Sequence, residues 1–304
     1  MTRARTVLGV QVALAVLAGA VLTLGLFVAL TGLSFGAPSA AALAAACGRF
    51  ALPDASLASL FALMLGSVAV AVLALAIRSA FRQALAFGRL LASLEVTGRG
   101  PARSVVFRAP GTQAFCAGLL RPRVYVSTGA LRALGSDELG AVLAHESHHA
   151  SMRDPLRMLV ARALGDALFF LPGMRQLSQR YGALAELAAD EAAVKTRGPQ
   201  PLASALVAFE RSDPAVVGIA PERVDHLLGM RPRWDIPIAL IAWTVVLLTV
   251  VAVVALRLDA AMGQAALNVP LFAAQACMIS MAVVPVVLGA GALLAGGRFL
   301  RLRS

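Results

Sequence analysis

Four stretches of this chain run for more than twenty residues without a charge, and no other feature limits its fold as strongly. They are Val7–Leu30 and Leu271–Leu294, of 24 residues each, and Leu57–Ile77 and Ile236–Leu256, of 21 each; Pro285 lies inside the last in the chain. A helix of about 20 apolar residues crosses the hydrocarbon core of a bilayer, so each run is read as a transmembrane helix. The first is too long for a signal-peptide core and has no convincing cleavage site, so it is read as retained. Ala45-Ala46-Cys47 has a lipoprotein-like outline but follows a complete span, and is not read as a processing site. None of the spans contains an ionisable side chain, which argues against a transporter or channel.

Arginines set the orientation. Arg3 and Arg5 precede the first span, and Arg78, Arg82, Arg89, Arg99 and Arg103 follow the second. Arg231 and Arg233 precede the third, and Arg298, Arg301 and Arg303 follow the fourth. The loops 31–56 and 257–268 hold one each, Arg49 and Arg257. The positive-inside rule then places both termini and the 78–235 block in the cytoplasm. This clustering beside apolar runs also accounts for the net charge of +11, so no nucleic-acid partner is expected. The wealth of Ala, Gly and Arg suits a bacterial protein, and the expected location is a bacterial inner membrane, with the lipid bilayer as a standing partner.

Acidic residues mark the water-exposed part. Of 16 Asp and Glu, 14 lie between Glu95 and Asp235. The expected plan is two N-terminal spans (1–77), a cytoplasmic domain (78–235) and two C-terminal spans (236–304). The three cysteines, Cys47, Cys116 and Cys277, are widely spaced and give no disulfide framework.

Within 78–235, Ser104–Arg108, Thr112–Ala117 and Arg123–Ser127 read as short strands between Pro-Gly and Arg-Pro turns. A helix is expected from Ser136, with Asp137 and Glu138 at its positive end. Asp154-Pro155 reads as a cap followed by a first-turn proline, opening a helix to Leu171. Another is expected from Met174 to Arg197, before Gly198-Pro199.

His145-Glu146-Ser147-His148-His149 falls in the middle of the helix expected from Ser136. Two histidines four apart project from one face and can grip one metal ion. Glu146 sits to the side, where a carboxylate can take a proton from an activated water. His148 would misplace that Glu as a ligand partner and is read as a supporting or solvated residue. A catalytic zinc needs a third protein ligand. Cys116 is one candidate, although a single thiol is more often packing. Glu186 is the other, with Asp190 one turn later on the same helix face, where it can orient a ligand histidine. Spacing alone leaves Glu186 balanced against a solvated acidic face that includes Glu191.

The run Ala114-Phe115-Cys116-Ala117-Gly118, the segment Arg121 to Leu131, Glu138-Leu139, the His145 motif and Arg153-Asp154-Pro155 together resemble the BlaR/MecR-type membrane zinc metallopeptidases, which are antirepressor, signal-transducing proteases. The Ala114-Phe115…Gly118 and Glu186…Asp190 elements also resemble the heat-shock and prenyl-protein membrane endopeptidases. The resemblance covers about 110–195 strongly and 78–235 loosely. It implies Glu186 as third zinc ligand and Asp190 as the residue behind a ligand histidine. The antirepressor family carries an extracellular sensor domain after its last span and a Cys before its Asp. Here Ser304 follows shortly after the fourth span and Ala189 precedes Asp190, so sensing of beta-lactams is not implied.

The fold class expected is an α-helical membrane protein of four transmembrane helices carrying a zincin-like α+β metallopeptidase domain. The reaction expected is zinc-dependent hydrolysis of a cytoplasmic or membrane-proximal protein, with Glu146 as general base. Arg223 and His226 are candidate oxyanion stabilisers, as the polar cluster before the third span. Gln113, Ala114, Phe115 and Cys116 are candidates for an edge strand that holds the substrate extended, against the alternative that Phe115 and Cys116 pack the core. A regulatory protease with a repressor-type target, a quality-control protease and a non-catalytic zinc-binding scaffold all remain open, and nothing in the sequence fixes the oligomeric state. Reporter fusions at Gly98 and Ser304 should read cytoplasmic and one at Ser39 external; an external signal at Gly98 would overturn the orientation.

Overall fold

The computed structural model describes residues 2–31, 33–49, 57–212, 223, 237–262, 267–275, 277, 280, 281, 283 and 284. The chain divides into two compact units, residues 1–18 with 71–247, and residues 19–70 with 248–304.

Three described helices are long and apolar enough to cross a membrane: Arg3–Val28, Leu63–Ala92 and Ile238–Arg257. They lie within α1 (Thr2–Thr31), α3 (Leu57–Ala92) and a late helix, Ile238–Met262. The expected fourth span, 271–294, lies mostly outside the described residues. α3 does not stop where its uncharged run stops. It continues fifteen residues past Ile77 to Ala92, because Ala, Leu, Arg and Gln in that stretch are good helix formers.

In the second unit, β1 (Leu33–Ser34) pairs in parallel with a two-residue strand, Leu267–Asn268, and Asn268 Nδ2 donates to the Gly36 carbonyl at 2.9 Å. A short helix, α2 (Ala40–Arg49), follows β1.

The first unit carries a four-stranded mixed sheet with spatial order β2-β3-β5-β4. Its strands are β2 (Val96–Arg99), β3 (Val105–Phe107), β4 (Ala114–Ala117) and β5 (Arg123–Ser127). The three expected strands are present, two of them shortened at their ends. β2 was not expected: all four of its residues are exposed, so it has no apolar alternation to read. β2 and β4 each run antiparallel to their neighbour, while β3 and β5 are parallel. β4 therefore forms one edge of the sheet.

Two glycines fix that edge. Gly118 ends β4 at φ +110°, and a Cβ there would meet the Arg121 carbonyl at 2.6 Å. Gly129 lies just past β5, where a Cβ would stand 2.3 Å from the carbonyl oxygens of Pro110 and Gly111.

Five helices follow the sheet: α4 (Thr128–Ala133), α5 (Ser136–Met152), α6 (Asp154–Ala167), α7 (Met174–Arg197) and α8 (Pro199–Ser212). α6 ends four residues before the expected Leu171. Pro199, expected only as a stop, also opens α8, a helix the sequence reading did not include. Val124 and Val126 of β5 pack with Val142 and Leu143 of α5 and Ala205 of α8. Leu202 of α8 closes a second cluster with Ala141 and Ala193. α5 is thus enclosed by the sheet, α7 and α8, which leaves its histidine face as the interior wall of a cleft.

Two fully buried polar side chains join the apolar helices to this domain. Gln11 Nε2 in α1 donates to the carbonyls of Ala161 (2.8 Å) and Met174 (3.4 Å). Thr244, in the helix Ile238–Met262 (α9), donates to the Pro172 carbonyl at 2.8 Å. Both reach the corner between α6 and α7. A buried polar group without a partner is costly, so these bonds make the helix ends part of the domain's own core.

Candidate metal centre

α5 presents His145 and His149 one turn apart, and both rings are buried. Their Nε2 atoms lie 3.2 Å from one another. Glu186, from the facing side of α7, places Oε2 3.4 Å from His145 Nε2 and Oε1 3.6 Å from His149 Nε2. Among the described residues these three form a cluster able to hold a metal ion.

The donor set fits zinc. Ligand bonds of 2.0–2.1 Å in a tetrahedron imply edges of about 3.3 Å, close to the separation of the two Nε2 atoms, and each Nε2 has a different Glu186 oxygen at 3.4 or 3.6 Å. The backs of the rings point the same way. His149 Nδ1 lies 2.9 Å from Asp154 Oδ2, and His145 Nδ1 lies 2.9 Å from Asp190 Oδ1. The second contact is close but off the direction of a hydrogen bond. A carboxylate at Nδ1 favours the proton there and leaves Nε2 as a lone pair. Two lone pairs and a carboxylate within such distances repel one another, and a cation between them removes the conflict. With protons alone, His145 carries the balancing charge. Burial opposes it, but Asp190 and Glu186 outweigh burial and lift the His145 pKa to about 9.

Asp190 is fully buried (0% exposed). Burial alone would raise its pKa, yet His145 and Arg223 outweigh that and hold it at about 2. Arg223 grips it bidentately, Nε to Oδ2 at 2.8 Å and Nη2 to Oδ1 at 2.7 Å, and places Nη1 3.4 Å from Glu186 Oε2. Glu186 likewise stays below its ordinary value, because His145, His149 and Arg223 outweigh its burial. Arg223 thus turns its guanidinium toward the two α7 carboxylates. His226 lies outside the described residues.

Asp154 corrects one expectation. The cap of α6 is Arg153, in the left-handed region at φ 54°, while Asp154 is the first helical residue. That turn swings the Asp154 carboxylate back under α5 to His149, and Tyr181 donates its hydroxyl to the other oxygen at 3.0 Å. Neither role was foreseen. The available signal was an acid five residues after the second motif histidine, which reads equally well as a helix cap. His148 is not a member of the metal cluster; it lines a small pocket with Arg5, Leu8, Met152 and also Asp154 and Tyr181.

Glu146 lies on the cavity side of α5. Burial raises its pKa, and the Cys116 backbone N–H donates to its carboxylate. The Cys116 thiol is pushed up to about 12, mainly by burial. It stays protonated there, and it is not a member of the metal cluster.

β4 lines the same cavity. Ser127 N–H donates to the Gln113 carbonyl at 2.9 Å, and Ala114 lies opposite Val126. In that antiparallel register Gln113, Phe115 and Ala117 bond toward β5, whereas the backbone groups of Ala114 and Cys116 face the open edge. Gln113 also gives its N–H to Ser127 Oγ at 3.0 Å, so its backbone is committed to the sheet and not to the edge. Phe115 is stacked on Tyr125 at 5.5 Å. The cavity, about 550 Å³, is lined by the metal cluster, Glu146, Ala114 to Cys116 and apolar groups that include Phe87, Leu119 and Met158.

Residues 82–212 match the model of peptidase family M48. The matched segment runs from the far part of α3 to the end of α8 and contains all three cluster residues and Glu146. The match supports a metallopeptidase domain there; it does not extend to the antirepressor subfamily. Comparison with curated proteins finds no match for the chain.

Asp154→Ala should weaken zinc binding by about 10- to 100-fold, the usual effect of removing the group behind a ligand histidine. Competition against a chromophoric chelator checks this, and unchanged affinity would show that Asp154 serves the turn alone.

Proposed function

We propose that this chain is a membrane-embedded zinc endopeptidase that cuts protein substrates in the cavity over His145, Glu146, His149 and Glu186. The observation that carries this is the convergence of two Nε2 atoms and a carboxylate within reach of one ion, each held from behind, beside a half-buried glutamate. The M48 match over the same residues supports it.

His145, His149 and Glu186 would hold the ion. When bound, zinc would supply Lewis acidity to the scissile carbonyl and lower the pKa of the attacking water. Glu146 accepts the proton of that water and returns it to the leaving amine. Its partly dehydrated setting, with one N–H from Cys116, favours a carboxylate basic enough for that work. Asp190 and Asp154 hold the imidazoles in the tautomer that presents Nε2. The carboxylate contacts of Arg223 favour a positioning role, keeping Glu186 and Asp190 in place, over the oxyanion role expected from sequence. The open backbone groups of Ala114, together with the Cys116 carbonyl, would pair with an extended substrate strand.

The Arg asymmetry supports a cytoplasmic face for this domain and a four-span bacterial inner-membrane protein. The resemblance across 114–131 and 153–155 supports a regulatory, repressor-type target. Mapping new N-termini with and without active protein separates the alternatives: one dominant site marks a regulator, and many mark quality control.

Glu146→Gln should retain about one zinc per chain while proteolysis falls by roughly 10²- to 10⁴-fold. Retained turnover would remove Glu146 as the base, and a wild type that binds zinc yet cuts nothing would leave only a scaffold. Ala114→Pro removes an N–H that makes no ladder bond, so cleavage should fall about three- to tenfold, the worth of one hydrogen bond, with stability unchanged. Gln113→Pro should instead destabilise the sheet. Equal cleavage by Ala114→Pro and wild type would reject β4 as the substrate cradle.

A further inference from the structure

A second groove, of about 720 Å³, shares Gln83, Ala86 and Arg162 with the metal cavity. Three separate elements send arginines into it: Arg78 and Arg82 from α3, Arg162 from α6 and Arg175 from the first turn of α7. Among the described lining residues one acid faces these four cations. It is Asp166, and it already accepts a hydrogen bond from Ser79 Oγ at 2.6 Å. Like charges gathered in one groove repel one another unless an anion joins them. Guanidinium groups are the side chains best matched to phosphate oxygens.

The position in the chain selects the kind of anion. Arg78 is the first charge after the uncharged run that ends at Ile77. Leu75, inside that run, lines the same groove. Phe169 stands at its side, half exposed (53%), with the Arg175 guanidinium 5.8 Å from its ring centre. The groove therefore passes from apolar to cationic along one face of α3, at the level where a spanning helix leaves hydrocarbon for headgroups. Aromatic and basic side chains are the usual anchors at that level.

We propose that this groove seats the phosphate of an anionic phospholipid, with the acyl chains lying toward Leu75. The inference rests on α3 crossing a membrane and is independent of peptidase activity. Free phosphate shares the headgroup's chemistry, but it would make no use of the apolar end. Because Gln83 and Arg162 line both spaces, a bound headgroup would also brace one wall of the metal cavity.

The test uses the full chain in phosphatidylcholine vesicles doped with photo-crosslinking phosphatidylglycerol or photo-crosslinking phosphatidylcholine. The expected result is phosphatidylglycerol labelling within 75–86 and 162–175 that excess inorganic phosphate does not compete away. Arg82→Gln combined with Arg175→Gln should lower that labelling about tenfold or more, without changing phosphatidylcholine labelling. If the double variant fails to fold, wild type alone decides through its preference between the two lipids. Equal labelling by both lipids, or displacement by inorganic phosphate, would overturn the proposal. So would unchanged labelling in a double variant that has lost cleavage, which would assign the groove to an acidic peptide.

Discussion

Two imidazoles on successive turns of α5 bring lone pairs within 3.2 Å of one another, with a glutamate oxygen close to each. Such a group repels itself, and the surrounding structure is built to hold it. Asp154 and Asp190 stand behind the rings, Arg223 grips Asp190 and approaches Glu186, and Tyr181 bonds Asp154. These supports come from three parts of the chain. α6, α7 and Arg223 must all be placed before the cluster can exist. Packing of α5 between the sheet, α7 and α8 serves that end, since only an enclosed helix can keep one polar face dry.

The electrostatics follow from the same enclosure. Burial opposes charge on His145, Glu186, Asp190 and Arg223, and these charges persist because each has a specific partner. Breaking one member of such a pair costs more than the pair contributes, because it strands the other charge. Arg223→Ala would therefore leave Asp190 buried with His145 as its one remaining charged partner among the described residues, and metal affinity would suffer along with stability. The arrangement is better understood as a device for position than as a source of stability.

How much of this was legible in the sequence depends on the range of each contact. His145, Glu146 and His149 could be read from helical spacing, and Glu186 with Asp190 from the same period together with a family resemblance. Asp154 could not, because its reach to His149 depends on a left-handed turn at Arg153, and a non-glycine residue gives no sign of one. Arg223 was visible as a late cation, but its partners 33 and 37 residues earlier could not be read from spacing. Three of the long apolar runs were legible as helices, yet the continuation of α3 to Ala92 was not, since polarity ends a membrane span without ending a helix. β2 escaped because it buries nothing, and α8 because its opening proline also closes α7.

That continuation of α3 has a geometric consequence. Gln83, Ala86 and Phe87 line the metal cavity, and they lie five to nine residues beyond the first charge after the apolar run. At 1.5 Å per residue the cavity wall stands roughly 8 to 14 Å from that point along the helix. On the proposed reading the helix is a ruler whose zero mark is the bilayer surface. Peptide bonds at that height meet the cavity, and those tethered much nearer the lipid or far above it do not. Distance from the membrane, as much as side-chain chemistry, would then decide which bonds are cut.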